Sequence, residues 1–182
     1  MSVKSKKYDS KSVDSIYNYA KQIVNHCVRE FVPNQYVGAK KGNKGNFGDS
    51  LETYYFGLKK NNASAPDFPD AGIKGLELKS TPIKKLKRGS YSAKERLVLN
   101  MIDYNSIQDE TWETSHFLTK NEVILLVLYL YEKNSSFLDY LIKHVILMKL
   151  EGNDKEIVRQ DWEHIVNKIR RGEAHELSEG ET

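Results

Sequence analysis

A single cysteine, Cys27, stands in 182 residues, which excludes a disulfide within the chain and a cysteine-rich metal site. Long apolar runs are missing as well. The longest, Val123 to Tyr131, is too short to cross a bilayer, and no secretory signal opens the sequence, so a soluble, cytoplasmic protein is expected. No histidine has metal-ligand spacing with another. Net charge is small: 28 Lys and Arg against 25 Asp and Glu leave a formal +3. Such a balance argues against general stickiness, yet the lysines crowd at Lys4 to Lys7, Lys40 to Lys44 and Lys84 to Arg88. Local basic clusters on a nearly neutral protein suit a polyanion partner. The length suffices for one domain with a sizeable core.

What is present centres on Pro66 to Pro82, PDFPDAGIKGLELKSTP. If Gly75 to Thr81 is a strand, Glu77 and Lys79 share one face while Leu76 and Leu78 point to the other. An acid and an amine then lie side by side over an apolar floor. Asp67 opens the turn-rich stretch upstream, which can fold a second carboxylate back beside Glu77. Two carboxylates converging with a lysine suit a hard divalent cation such as Mg2+, held by Asp67, Glu77 and the backbone carbonyl of Leu78. The lysine would orient an attacking water and offset charge developing on a phosphate. This is the PD…ExK pattern of metal-dependent nucleases. Taken alone, the triplet is weak, because a Glu and a Lys two apart on a strand are usually a solvated face.

Around this centre, residues 1–11 are polar and lysine-rich and are expected to form a loosely held arm. Ile16, Ala20, Ile23, Val24, Cys27 and Phe31 recur at helical spacing, with Ser12 or Asp14 as cap and Pro33 marking the end. Cys27 then belongs to a buried stripe and His26 to the surface. Glycines 42, 45 and 48 among lysines would let the backbone approach a phosphate, but the Lys-Ser/Thr ending of a P-loop is absent. From Asp49 a helix is expected, with Leu51, Tyr54 and Tyr55 inward and Glu52 upon it. Ile83 to Tyr91 reads as a basic loop closed by an aromatic, suited to phosphate contacts or simply solvated. Leu97 to Tyr104 and Glu122 to Glu132 read as strands, the second apolar on both faces and so central. Trp112 and His116 suit core bracing and DNA contact equally. After the apolar stretch Ile142 to Leu150, Asp154 can cap a last helix with Ile157, Val158, Trp162, Ile165, Val166 and Ile169 inward, ended by Gly172.

Several segments carry a family resemblance together. Lys44-Gly45 with Gly48 and Glu52, Phe56-Gly57, PDF, AG, ELK and SAKERLVL are similar to the MutH and Sau-type family of GATC-specific restriction enzymes and strand-nicking repair endonucleases. TWETSH with Lys120, and Gln160-Asp161-Trp162-Glu163 followed by AHELSEG, resemble the same family in the same order, so the likeness covers about residues 38 to 180. KERLVLN and the close of the chain are nearer to the restriction enzymes. The resemblance implies an α/β, restriction-endonuclease-like fold: a mixed sheet flanked by helices, forming one nuclease domain over residues 1–182. It implies Mg2+-dependent hydrolysis of double-stranded DNA at GATC, with Glu52, Asp67, Glu77 and Lys79 as the catalytic set. Lys44 and Lys120 fall where the family places basic residues near the DNA backbone, and Lys84, Lys85, Lys87 and Arg88 are further candidates for DNA contact. The family spaces its first Asp seven positions before the Glu, which points to Asp70. The surrounding letters point instead to Asp67 with a three-residue insertion, Lys74 to Leu76, and favour it; Asp70 is the fallback ligand.

The family's chain continues past the acidic tail that closes this one, so a further C-terminal region or a second subunit is an expected partner. Two other readings stay open beside the restriction enzyme: a mismatch-repair nickase with the same chemistry, and a DNA-binding module without catalysis.

Overall fold

The computed structural model describes residues 7–33, 46–59 and 65–177. The cluster Lys40 to Lys44, including the DNA-contact candidate Lys44, lies outside the described residues, as do residues 1–6 and the end of the acidic tail.

Four strands form one mixed sheet in the order β2-β1-β3-β4. β1 (Glu77–Lys85) runs parallel to β3 (Val123–Leu130), with Glu77 opposite Ile124 and Lys79 opposite Leu126. β2 (Tyr91–Ala93) and β4 (Ile142–Lys149) are antiparallel additions at the two edges. VILLVLYL is apolar on both faces, as a strand covered on both sides should be, and it is central. The parallel pairing of β1 with β3 demands a long crossover. That crossover contains α3 (His116–Asn121), which is thereby delivered to the start of both strands.

On one face Leu78, Leu125, Val127, Tyr129, Ile142 and Val145 pack with Ile16 and Ala20 of α1 (Val13–Lys21) and with Phe47 and Leu51. Phe47 belongs to α2 (Asn46–Ser50), which runs directly into a π-helical turn, Leu51–Tyr55, closed by the Phe56 N–H donating to the Leu51 carbonyl at 2.9 Å. A second cluster, Ile107, Trp112, Leu118, Trp162, Val166 and Ile169, joins α3 to α4 (Gly152–Arg170). Among the described residues no helix is long and apolar enough to cross a membrane.

Several expectations need correction. The first helix stops at Lys21 instead of running to Phe31. Asn25 takes a left-handed φ of 66°, which ends helical propagation, and its N–H donates to Ile142 O beside the bridge from Cys27 to Leu141. Cys27 is therefore only half-buried, while His26 is a surface residue paired with Glu30. Of the expected arm only residues 7–11 are described, and within them Tyr8 is buried and its hydroxyl donates to Phe56 O at 2.6 Å. Leu97 to Tyr104 is not a strand. Its β-formers have no neighbouring strand among the described residues, and Val98 and Met101 are 69% and 86% exposed. The stretch read as a basic loop begins as strand, because β1 continues to Lys85. Ile157 lies off the inward stripe of α4 and is exposed.

Candidate active site

The site begins with a short strap. Phe68 and Leu76 exchange both backbone hydrogen bonds, each at 3.0 Å, so the chain folds back on itself just before β1. One step along this antiparallel ladder, Asp67 falls beside Glu77 on the same face; side chains at such a pair have Cβ atoms on the order of 5 Å apart. Gly75 makes the turn possible. Its φ is +75°, and a Cβ there would meet Pro66 Cγ at 3.0 Å and the Phe68 carbonyl oxygen at 3.3 Å. Gly75→Ala is accordingly expected to destabilise the protein by at least about 1 kcal/mol in a denaturant titration and to loosen Asp67 from Glu77.

Asp67 Oδ2 accepts the Leu78 N–H at 2.9 Å. In a strand the carbonyl of a residue leaves on the same side as its N–H, so the Leu78 carbonyl also faces Asp67. Asp70, the alternative acid, sits exposed on the turn beyond Phe68.

Glu77 is 2% exposed. The acid of the Glu77 and Lys79 pair is therefore covered, and Lys120 of α3 reaches it. Lys79 Nζ lies 2.8 Å from Glu77 Oε1, and Lys120 Nζ, from the last turn of α3, lies 3.5 Å from the same oxygen. Two carboxylates and two ammonium groups thus share a small, largely buried volume.

The other carboxylate oxygen, Glu77 Oε2, is buried without a hydrogen-bond partner among the described residues. A buried anionic oxygen left unpaired is costly, and a cation is the ligand that relieves it. The Asp67 carboxyl is pushed up to about 6, first by burial and then by the charge of Glu77, against the Leu78 N–H, Lys120 and Lys79, which pull it down. Both observations describe a site short of positive charge. Oxygen donors from two carboxylates and a carbonyl fit a hard divalent ion that keeps several waters.

Glu52 lies half-buried on the π-helical turn. That turn follows α2, which leans on β1 so closely that a Cβ at Gly48 would stand 3.5 Å from Ser80 Oγ. π-Turns inside helices recur at functional sites. Lys84, Lys85, Lys87 and Arg88 are exposed along the β1–β2 hairpin.

The TWETSH segment has a structural role that spacing alone did not reveal. Ser115 caps α3 by accepting the Leu118 N–H at 3.1 Å, and its hydroxyl donates to Trp112 O at 2.8 Å. Trp112 is buried beside Trp162. The His116 N–H donates to Glu110 Oε2 at 3.0 Å. The motif thus aims α3, and with it Lys120, at Glu77. A cavity of about 1110 Å³ is lined by neither Asp67 nor Glu77. It is bounded by Ala65, Asn100, His116, Thr119 and Trp162.

A mixed sheet with helices packed against it, bearing two acids and a lysine at the start of one inner strand, is the restriction-endonuclease-like α/β fold. Comparison with known proteins agrees. The family model described as DNA mismatch repair enzyme MutH matches residues 56–161. The type II restriction enzyme Sau3AI of Staphylococcus aureus is 45% identical over 170 residues, 92% of this chain and 33% of that protein. The DNA mismatch repair protein MutH of Buchnera aphidicola is 29% identical over 112 residues, covering 62% of this chain and 48% of the relative. That of Vibrio campbellii is 28% identical over 140 residues, covering 76% and 58%. The chain belongs to the MutH family, to which Sau3AI-like restriction enzymes and MutH repair proteins are both related. It spans only about a third to somewhat over half the length of these relatives.

Proposed function

We propose that this chain is the catalytic domain of a type II restriction endonuclease that hydrolyses double-stranded DNA at GATC with Mg2+. The reading rests on one observation above others: Asp67 and Glu77 adjoin on a covered face with Lys79 2.8 Å from Glu77, while Glu77 Oε2 has no hydrogen-bond partner among the described residues. Asp67, Glu77 and the Leu78 carbonyl would hold the metal. Bound there, Mg2+ would supply Lewis acidity and a more acidic water. Lys79 would orient an attacking water and offset the charge developing on the scissile phosphate. Lys120, 3.5 Å from the same Glu77 oxygen that Lys79 approaches, would help hold the carboxylate in place. Glu52 completes the acidic set from the π-turn. Identity of 45% to a restriction enzyme, against 28–29% to repair proteins, favours restriction over mismatch-repair nicking. Such an enzyme works in the cytoplasm, and the further length of the relatives would supply additional DNA contacts or a second subunit.

Incubating the protein with unmethylated and hemimethylated GATC duplexes, with magnesium or with chelator, tests the assignment. Magnesium-dependent cleavage of both strands of the unmethylated duplex is expected. Nicking of one strand would favour the repair reading, and binding without any cleavage a non-catalytic module.

The hairpin cations should contribute through phosphates. Replacing Lys84, Lys85, Lys87 and Arg88 by glutamine is expected to weaken binding about equally for all sequences. The slope of log K against log salt should flatten by about 0.9 for each phosphate that is no longer neutralised. An unchanged slope would show these residues to be merely solvated.

A further inference from the structure

The strap carrying Asp67 is held at more points than its bridge to Leu76. In its turn, Ala71 is buried and the Gly72 N–H donates to Lys11 O at 2.9 Å. At the turn's far end, Lys74 Nζ reaches Glu122 Oε2 at 3.1 Å, and Lys155 of α4 takes the other oxygen, Oε1, at 2.8 Å. The Glu122 side chain is only 16% exposed, against 57% for Lys74. Burial pushes the Glu122 carboxyl up, but its hydrogen bonds to Lys155 and Lys74 outweigh that and hold it below the usual glutamate value. Its backbone is equally committed: Glu122 is the C-cap residue of α3, and its carbonyl accepts the Leu150 N–H at 2.9 Å. Along the chain it stands two residues after Lys120 and two before Ile124, the register partner of Glu77. One half-buried carboxylate therefore ties together the strap, the helix bearing Lys120, the strand beside Glu77 and the start of α4.

We propose that Glu122 and Lys74 are positioning residues of the candidate nuclease site. Their ion pair holds the strap where Asp67 and Glu77 can share one divalent cation. The proposal rests on the nuclease reading above. Its physical basis is a conflict of forces. Asp67 and Glu77 are like charges on one face and push the strap outward, and the strap's own turn is exposed, with Ile73 98% accessible. Lys74 on Glu122 opposes that opening from the strap's far end. An ion pair with one exposed partner shifts an equilibrium by no more than about fivefold, which sets the scale of the effect.

Calorimetric titration with manganese chloride, alongside cleavage kinetics on a GATC duplex, tests this in the full chain. Lys74→Met and Glu122→Gln should each weaken manganese binding about fivefold and raise the magnesium needed for half-maximal cleavage by the same factor, leaving KM for DNA unchanged. The double variant should be no worse than Glu122→Gln alone, because once Glu122 is neutral the loss of Lys74 breaks no further ion pair. Lys74→Arg should restore wild-type behaviour. If Glu122→Gln fails to fold, Lys74→Met carries the test, since its side chain is largely in solvent. Unchanged manganese affinity in Lys74→Met, with an active wild type, overturns the proposal. A wild-type protein that neither binds manganese nor cuts DNA overturns the nuclease reading beneath it.

Discussion

Lys79→Ala is expected to yield a folded protein that binds a DNA duplex but cuts it at least about a hundredfold more slowly with magnesium than the parent does. The fold should survive for a specific reason. Truncating one partner of a buried ion pair usually strands the other charge at a high cost. Here Glu77 keeps a second ammonium group, Lys120, at 3.5 Å. Lys79 itself is 20% exposed and belongs to neither apolar cluster. What disappears is the positive charge beside Glu77, where on the proposed reading it would act on the water and the phosphate. Initial rates, fluorescence anisotropy for binding and far-ultraviolet circular dichroism separate these effects. Wild-type cleavage by Lys79→Ala would remove ELK from the catalytic machinery. Loss of binding together with cleavage would assign Lys79 to DNA affinity.

The alternation within ELK was readable from the chain because strand geometry has a period of two, and Leu76 and Leu78 are indeed buried on the face opposite Glu77. That Asp67 could return to Glu77 was also readable, from a proline, an aspartate and a glycine between two apolar runs. Burial of the acid was not. Glu77 is buried and is met by Lys120, which arrives from more than forty residues downstream, beyond the reach of any local pattern. The clasp of Lys74 on Glu122 was invisible for the same reason, since neither residue has a distinctive neighbour. Intrinsic preference misled in two places. The helical stripe through Cys27 is real as a pattern, but a left-handed Asn25 and pairing with Leu141 prevail over it. Leu97 to Tyr104 has β-forming residues but no strand beside it among the described residues. Pairing, rather than composition, makes a strand.

Asp67→Asn should raise the stability of the metal-free protein at neutral pH while abolishing cleavage. In the folded chain the Asp67 carboxyl is pushed up to about 6 from an ordinary value of 3.8, chiefly by burial and by Glu77. The folded state therefore binds this proton more tightly than the unfolded state. Asp67 contributes most favourably to stability below 3.8, and that contribution is lost as pH rises through the interval from 3.8 to 6. Above that interval the ionised side chain costs the fold about 2 to 3 kcal/mol. Asparagine removes the charge yet keeps an oxygen to accept the Leu78 N–H. For a chain of this size the gain corresponds to a Tm higher by roughly 4 to 10 °C at pH 8 in chelator, closing toward zero near pH 4. Magnesium should then stabilise the parent, whose paired carboxylates bind it only when folded, and leave Asp67→Asn unmoved. Thermal melts of both proteins across pH, with and without magnesium, check each part. A Tm for Asp67→Asn below the parent's at pH 8 in chelator would mean that Asp67 is held by favourable contacts rather than strained by Glu77. Two acids poised against each other until a cation joins them would then no longer describe the site.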